Sequence, residues 1–155
     1  MNGNGAKIIV RRYEYEEPQN TQLEFIISNG QFSSTVDFYC EVKDIKEIGK
    51  ALISFPTRID DEYCYSYGSK DNYYRFFLIR AYTTDGVGHC AIQFKINLNE
   101  EEPLEGESLF SLRAEAAAIN KLGKLFIEFS KLEHKEFHWS PNDHSELFET
   151  HQKVH

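Results

Sequence analysis

Asp85 and His89 stand four residues apart, with Gly86, Val87 and Gly88 between them and Cys90 directly after. An imidazole held by a carboxylate can work as a general base, and a thiol beside it can work as a nucleophile. Such chemistry needs a setting. A phosphate-cradling loop needs a helix after its glycines, and a nucleophile elbow sets Ser or Cys between a strand and a helix. After His89 the chain instead alternates apolar and polar residues, as a half-buried strand does, so the Asp-Gly-Val-Gly run reads first as a hairpin turn. His89 then falls on the polar side with Gln93 and Lys95, while Cys90 points to the core with Ile92, Phe94, Ile96 and Leu98. A hydrolase or isomerase using His89 ranks third among the functional readings, and no catalytic residue is assigned.

Three other groups carry chemistry-bearing side chains. His134 and His138 in "HKEFH" have a spacing that one helical face can present to zinc, with His144, His151 and His155 further on. Glu136 sits midway between the two rather than after the first, which departs from the zincin order, and no metal site is expected. Tyr63, Tyr65, Tyr67, Tyr73 and Tyr74 gather near Arg75 and Arg80. Clefts combine aromatic walls with a few polar groups, and protein contacts favour Tyr and Arg. The binding candidates are therefore Tyr63, Tyr65, Tyr67, Tyr73, Arg75, Arg80 and His89, although sheet packing alone accounts for most of the tyrosines. Cys40 and Cys90 lie on apolar strand faces, where a thiol acts as a small hydrophobe. Cys64 is the thiol expected at the surface.

The whole chain bounds these readings. Its 155 residues suit one domain, and the 41% hydrophobic content is ample for a core. Three widely spaced cysteines give no disulfide framework and point to a reducing, cytoplasmic setting. No apolar run reaches the ~20 residues of a membrane span, and the first residues show no signal-peptide pattern. The formal charge of −8, from 25 acids against 17 Lys and Arg, argues against nucleic acid as a partner. It admits a basic protein partner, with a small ligand and a homo-oligomer carried beside it. No cofactor is expected.

The positioning elements follow from periodicity. "KIIVRRYEY", "TQLEFIIS" and "QFSSTVDFYCEV" read as three strands, with Asn29-Gly30 a strong hairpin signal and Phe32, Val36, Phe38 and Cys40 on one face. In "DIKEIGKALISFP" the apolar period lengthens to that of a short helix, with Asp44 as its cap and Pro56 as its stop. Strands follow at the tyrosines, at "YYRFFLIRAYTT", at "HCAIQFKINL" and at "SLFSLRAE". A longer helix then carries Ile119, Leu122, Leu125, Phe126, Phe129 and Leu132 on one stripe, with Lys121, Lys124 and Glu128 opposite. Gly123 inside it costs ~1 kcal/mol relative to Ala unless it permits close packing. No internal repeat is visible. The expected fold is α+β: an antiparallel sheet of about six to seven strands, one short central helix and one longer helix packed on it. It forms a single domain over 1–155, with 1–6 flexible, 7–138 the globular core and 139–155 a polar tail.

"GHCAIQFKINL" followed by "SLFSLRAEAAAINKLGKLFIEF" resembles the small bacterial WapI-type, immunity-like proteins. Gly88, His89, Glu115, Leu122 and Gly123 are the matching residues. The resemblance covers about half of the chain. It implies a non-enzymatic accessory protein that neutralises a toxin, of a kind found on mobile genetic elements, with no catalytic residues to carry over. The leading expectation is accordingly a cytoplasmic protein-binding domain of immunity type. A small-molecule-binding domain with an aromatic cleft comes second.

Overall fold

The computed structural model describes residues 5–69, 74–142 and 144–153. Within them the chain runs β1 (Ala6–Tyr13), β2 (Asn20–Asn29), β3 (Ser33–Glu41), α1 (Val42–Ile53), β4 (Glu62–Tyr67), β5 (Phe76–Thr83), β6 (His89–Asn97), β7 (Glu107–Glu115), α2 (Ala116–Phe129), β8 (Glu136–Ser140) and β9 (His144–Phe148). The α+β class holds. The expected single sheet does not: the strands form a five-stranded sheet in the order β3-β2-β1-β8-β9 and a four-stranded sheet in the order β4-β5-β6-β7. Every pairing is antiparallel. The polar residues from 139 onward were expected to trail as a tail, but they contribute to β8 and β9 instead. Trp139 is buried and its Nε1 donates to Ala118 O at 2.9 Å. A five-residue strand carrying one buried indole is too short a signal for periodicity to separate from loop.

The two sheets turn their apolar faces toward each other. Phe25 lies 4.5 Å from Phe77, and Phe38 lies 4.8 Å from Phe77, ring centre to ring centre. Below them Phe126 and Phe129 of α2 meet the edge of Phe137 at 5.2 and 5.1 Å. Offset and edge-on pairs of this kind stabilise a core beyond their area alone. Phe32 departs from the expected β3 face, lying before the strand and 65% exposed. At the β2–β3 turn Gly30 takes φ +94°, and Asn29 Oδ1 accepts the N–H groups of Gln31 and Phe32. That is the Asn-Gly hairpin chemistry legible in the sequence.

α1 begins two residues before Asp44, with Glu41 at its N-cap position and no side-chain cap. Asp44 instead accepts a hydrogen bond from Tyr65 Oη at 3.2 Å. The end of α1 is tied to α2 by Asn120, whose Nδ2 donates to Leu52 O and Phe55 O. α2 buries Ile119, Leu122, Leu125, Phe126 and Phe129 as its stripe requires, and ends before Leu132.

The chain repeats its plan. β3 and β7 share one burial pattern along nine residues, and each runs straight into a helix. Glu41 pairs with Asn20 as Glu115 pairs with His89. Val10 pairs with Phe25 and Phe137 as Ile79 pairs with Phe94 and Tyr65. No repeat shows in the sequence, because the matched positions share burial rather than residue identity. Both Val10 and Ile79 are buried, for example, yet so are Phe137 and, partly, Tyr65.

Candidate ligand-binding face

A strand with one face in the core turns every second residue outward. On the four-stranded sheet, register places those residues in rows. One row is Glu62, Tyr82, Ala91 and Arg113; the next is Cys64, Arg80, Gln93 and Ser111; the third is Ser66, Leu78, Lys95 and Leu109. Four strands make a surface ~14 Å across. Its middle is low, because Ala91 is nearly buried between Tyr82 and Arg113.

The side chains across this face are ordered by one another. The Arg80 guanidinium lies 4.1 Å from the centre of the Tyr82 ring, a cation–π stack. It also donates to Glu62 and, at 3.5 Å, to Gln93 Oε1. Tyr82 Oη is 3.3 Å from Ser111 Oγ. Arg113 is exposed, Lys95 is half-buried, and Leu109 is 58% exposed. Glu107 and Glu115 stand at the two ends of β7, so the acids border the face.

The five-stranded sheet holds matching residues on β1. Arg11 and Tyr13 occupy the places that Arg80 and Tyr82 take on β5. Here, however, acids surround the arginine. Arg11 pairs with Glu136 at 2.8 Å and Glu24 at 3.5 Å, and Tyr13 Oη donates to Glu24. Burial pushes the Glu136 carboxyl upward, but hydrogen bonds from His138, the Gln152 N–H and Arg11, with the arginine's charge, outweigh it and hold the pKa low. One outer face is thus neutralised and the other open.

The candidates named from sequence scatter. Arg80 alone sits within the open face. His89 lies at its end, exposed, with Nδ1 2.5 Å from Asp85 Oδ2. Asp85 also accepts the N–H groups of Val87 and His89, which closes the turn. Tyr63, Tyr65 and Tyr67 point the other way, packing against the core, and Tyr67 stacks on Phe38 at 4.8 Å. They wall no cleft. Arg75 binds Leu98 O and Glu100 beneath Tyr74, pinning a loop. Tyr73 lies outside the described residues.

The thiols and histidines do not assemble a reactive centre. Burial, with Asp44 and Glu41, pushes Cys40 up to about 12, and burial raises Cys90 and the exposed Cys64 as well. Thiols held protonated are poor nucleophiles. His138 belongs to β8, not to a helix shared with His134, and its Nε2 meets Glu136. Among the described residues no three His, Cys, Asp or Glu side chains gather as metal ligands.

Tyr82, Gln93, Lys95, Leu109 and Arg113 are the residues that sequence reasoning missed as a group. Alternation on each strand carries the signal, but only pairing register sets them side by side.

No known protein family matches the chain, and no curated protein does. Solved structures similar to it include these two. One is the plant transcriptional regulator PBF-2, at 12% identity over 81% of this chain and 76% of that one, with a TM-score of 0.45. The other is WHY3 from Arabidopsis thaliana, at 13% identity over 81% of this chain and 82% of that one, with a TM-score of 0.44.

The functional expectations are corrected here. The immunity reading finds no support among the similar structures, one of which is described as a plant transcriptional regulator. The tyrosines of the expected cleft pack against the core, and His89 is exposed with its ring paired to Asp85. The exclusion of nucleic acid fails for a physical reason: a net charge of −8 does not set the sign of each surface, and Arg80, Lys95 and Arg113 share one. No described helix is long and apolar enough to cross a membrane.

Proposed function

We propose that the chain is a binding module for single-stranded nucleic acid and that the outer face of β4–β7 is its binding surface. The observation that supports this reading is the Arg80–Tyr82 stack, set beside Lys95 and Arg113 on an open sheet face. Single strands bind where cations meet the backbone and rings meet the bases, and stacking on one aromatic ring contributes ~1–3 kcal/mol per base. Sheet faces suit the task, because period-two side chains present rings and cations in a plane. Gln93 and Ser111 offer hydrogen-bonding groups within the same rows. The bordering acids limit the footprint to a short stretch of strand. A duplex, which exposes no base faces, has little to gain from such a platform.

The test is fluorescence anisotropy with labelled oligothymidine and oligouridine of ~12 nucleotides, a length within known single-strand site sizes. Binding should weaken with salt at a logarithmic slope of about −2, as for three cations meeting two or three phosphates. Tyr82→Ala and Arg113→Ala should each weaken it at least fivefold while the fold is kept. Absence of binding at low salt, or binding indifferent to both substitutions, would refute the proposal.

A further inference from the structure

Residues 149–152 run over the outer face of the five-stranded sheet, beside β1 and β8, without forming helix or strand. Gln152 is held there by its main chain. Its N–H donates to Glu136 Oε1 at 3.0 Å, and its C=O accepts from Arg11 Nη2 at 2.7 Å. The carboxylate and guanidinium that read it are themselves joined at 2.8 Å. The Gln152 side chain plays no part, since its Nε2 turns back to Thr150. One residue earlier, the His151 ring lies 4.7 Å from Tyr13, with its Nε2 3.0 Å from Arg12 O.

Glu136 is 0% exposed although it belongs to the outward row of its sheet. A buried carboxylate is tolerated only when its oxygens are satisfied. Here Oε1 takes Arg11 and the Gln152 N–H, and Oε2 meets His138 at 2.5 Å. Part of that satisfaction comes from a segment with no ladder of its own, and such segments open most easily. The arrangement reads an amide unit and a preceding ring, and ignores the side chain that follows.

We infer that Arg11, Glu136 and Tyr13 form a receptor for an extended peptide, with residues 149–153 of this same chain as its reversible occupant. The ligand class is a main-chain amide preceded by an imidazole. The inference concerns the opposite sheet from the proposed nucleic-acid face and stands or falls without it.

The experiment keeps the full chain. Gln152→Pro deletes the N–H that Glu136 accepts, and His151→Ala deletes the ring on Tyr13. Together they should speed amide exchange at residues 149–153. A labelled peptide with the sequence of residues 149–155 should then bind this double variant at least tenfold more tightly than the wild type, whose own segment competes. Adding Glu136→Gln should abolish that gain. Should that variant fail to fold, as judged by near-ultraviolet circular dichroism, Arg11→Lys serves in its place, since it keeps the charge and loses the planar fork. Three results each overturn the inference: unchanged exchange in the double variant, no tighter peptide binding by it, or peptide binding that survives the receptor substitution.

Discussion

Gly49 of α1 and Gly123 of α2 meet where the two helices cross. A Cβ built on Gly123 would lie 2.5 Å from Ile53 N and 2.8 Å from Gly49 O. One built on Gly49 would lie 2.8 Å from Gly123 O and 2.6 Å from Ile127 Cγ1. Around Gly123 the space is occupied by backbone alone, and around Gly49 by backbone together with the Ile127 side chain.

Gly123→Ala should therefore destabilise the protein even though alanine is the better helix former. Propensity favours the change by ~1 kcal/mol, whereas forcing a methyl into a packed interface costs ~1–3 kcal/mol or more. Urea unfolding is expected to show a lower midpoint. A raised midpoint would mean that the helices stand further apart than described.

Phe126→Ala should lower stability by ~3–5 kcal/mol, as for other buried aromatic rings. Phe126 is 1% exposed and meets Phe25 and Phe137. Lys124→Ala, on the exposed side of α2, should change stability by less than ~0.5 kcal/mol. Equal effects from the two would place the stripe on the wrong side.

The Asp85–His89 pair sets a pH window. The hydrogen bond to Asp85, then its charge and that of Glu115, raise the His89 pKa above the usual 6.5. Hydrogen bonds from His89 and from the Val87 N–H lower Asp85 below 3.8. The histidine's contribution to stability is full below about 6.5 and is lost as pH rises through its folded pKa. The aspartate's contribution is present above about 3.8 and is lost as pH falls through its folded pKa. The turn is thus tightest between the two folded pKa values. In an NMR titration His89 should titrate above an unfolded histidine, and Asp85→Asn should bring it down. A His89 midpoint indifferent to Asp85→Asn would remove the carboxylate from the account.

Thiol labelling should separate the cysteines. Cys64 is exposed, while Cys40 and Cys90 are buried. A maleimide should modify Cys64 in the native protein, slowly at neutral pH because its pKa is raised, chiefly by burial and also by Glu62. Cys40 and Cys90 should react only on unfolding. Rapid native labelling of Cys40 would contradict its place beneath α1.

Long periodic segments declare their buried side in the sequence alone. The alternation from Cys90 to Leu98 fixed which face of β6 is buried, and the stripe from Ile119 to Phe129 fixed the inward side of α2. What stayed hidden depends on pairs far apart in sequence. Nothing local says that Phe137 lies beside Val10, so the last strands resembled a tail. Nothing local says that Arg113 is beside Ala91 and Tyr82, so the open face resembled ordinary strand polarity. The tyrosines misled for the opposite reason: alternate spacing shows that they share a side, not which side.

The strand after each helix leaves its own half. β4 follows α1 yet pairs with β5, and β8 follows α2 yet pairs with β1. The first half therefore lends β4 to the second, and the second lends β8, with β9 paired behind it, to the first, as two copies of a small protein do when they swap an arm, here with both copies on one polypeptide. Made as separate chains cut between Tyr67 and Tyr74, the first piece would leave β4 without a neighbour and the second would leave β8 with β9 alone, so mixing the two should restore both cross-pairings. Such mutual dependence leaves no stable way to lose one half. It frees the two outer surfaces to diverge, one filled by the chain itself and the other left open to solvent.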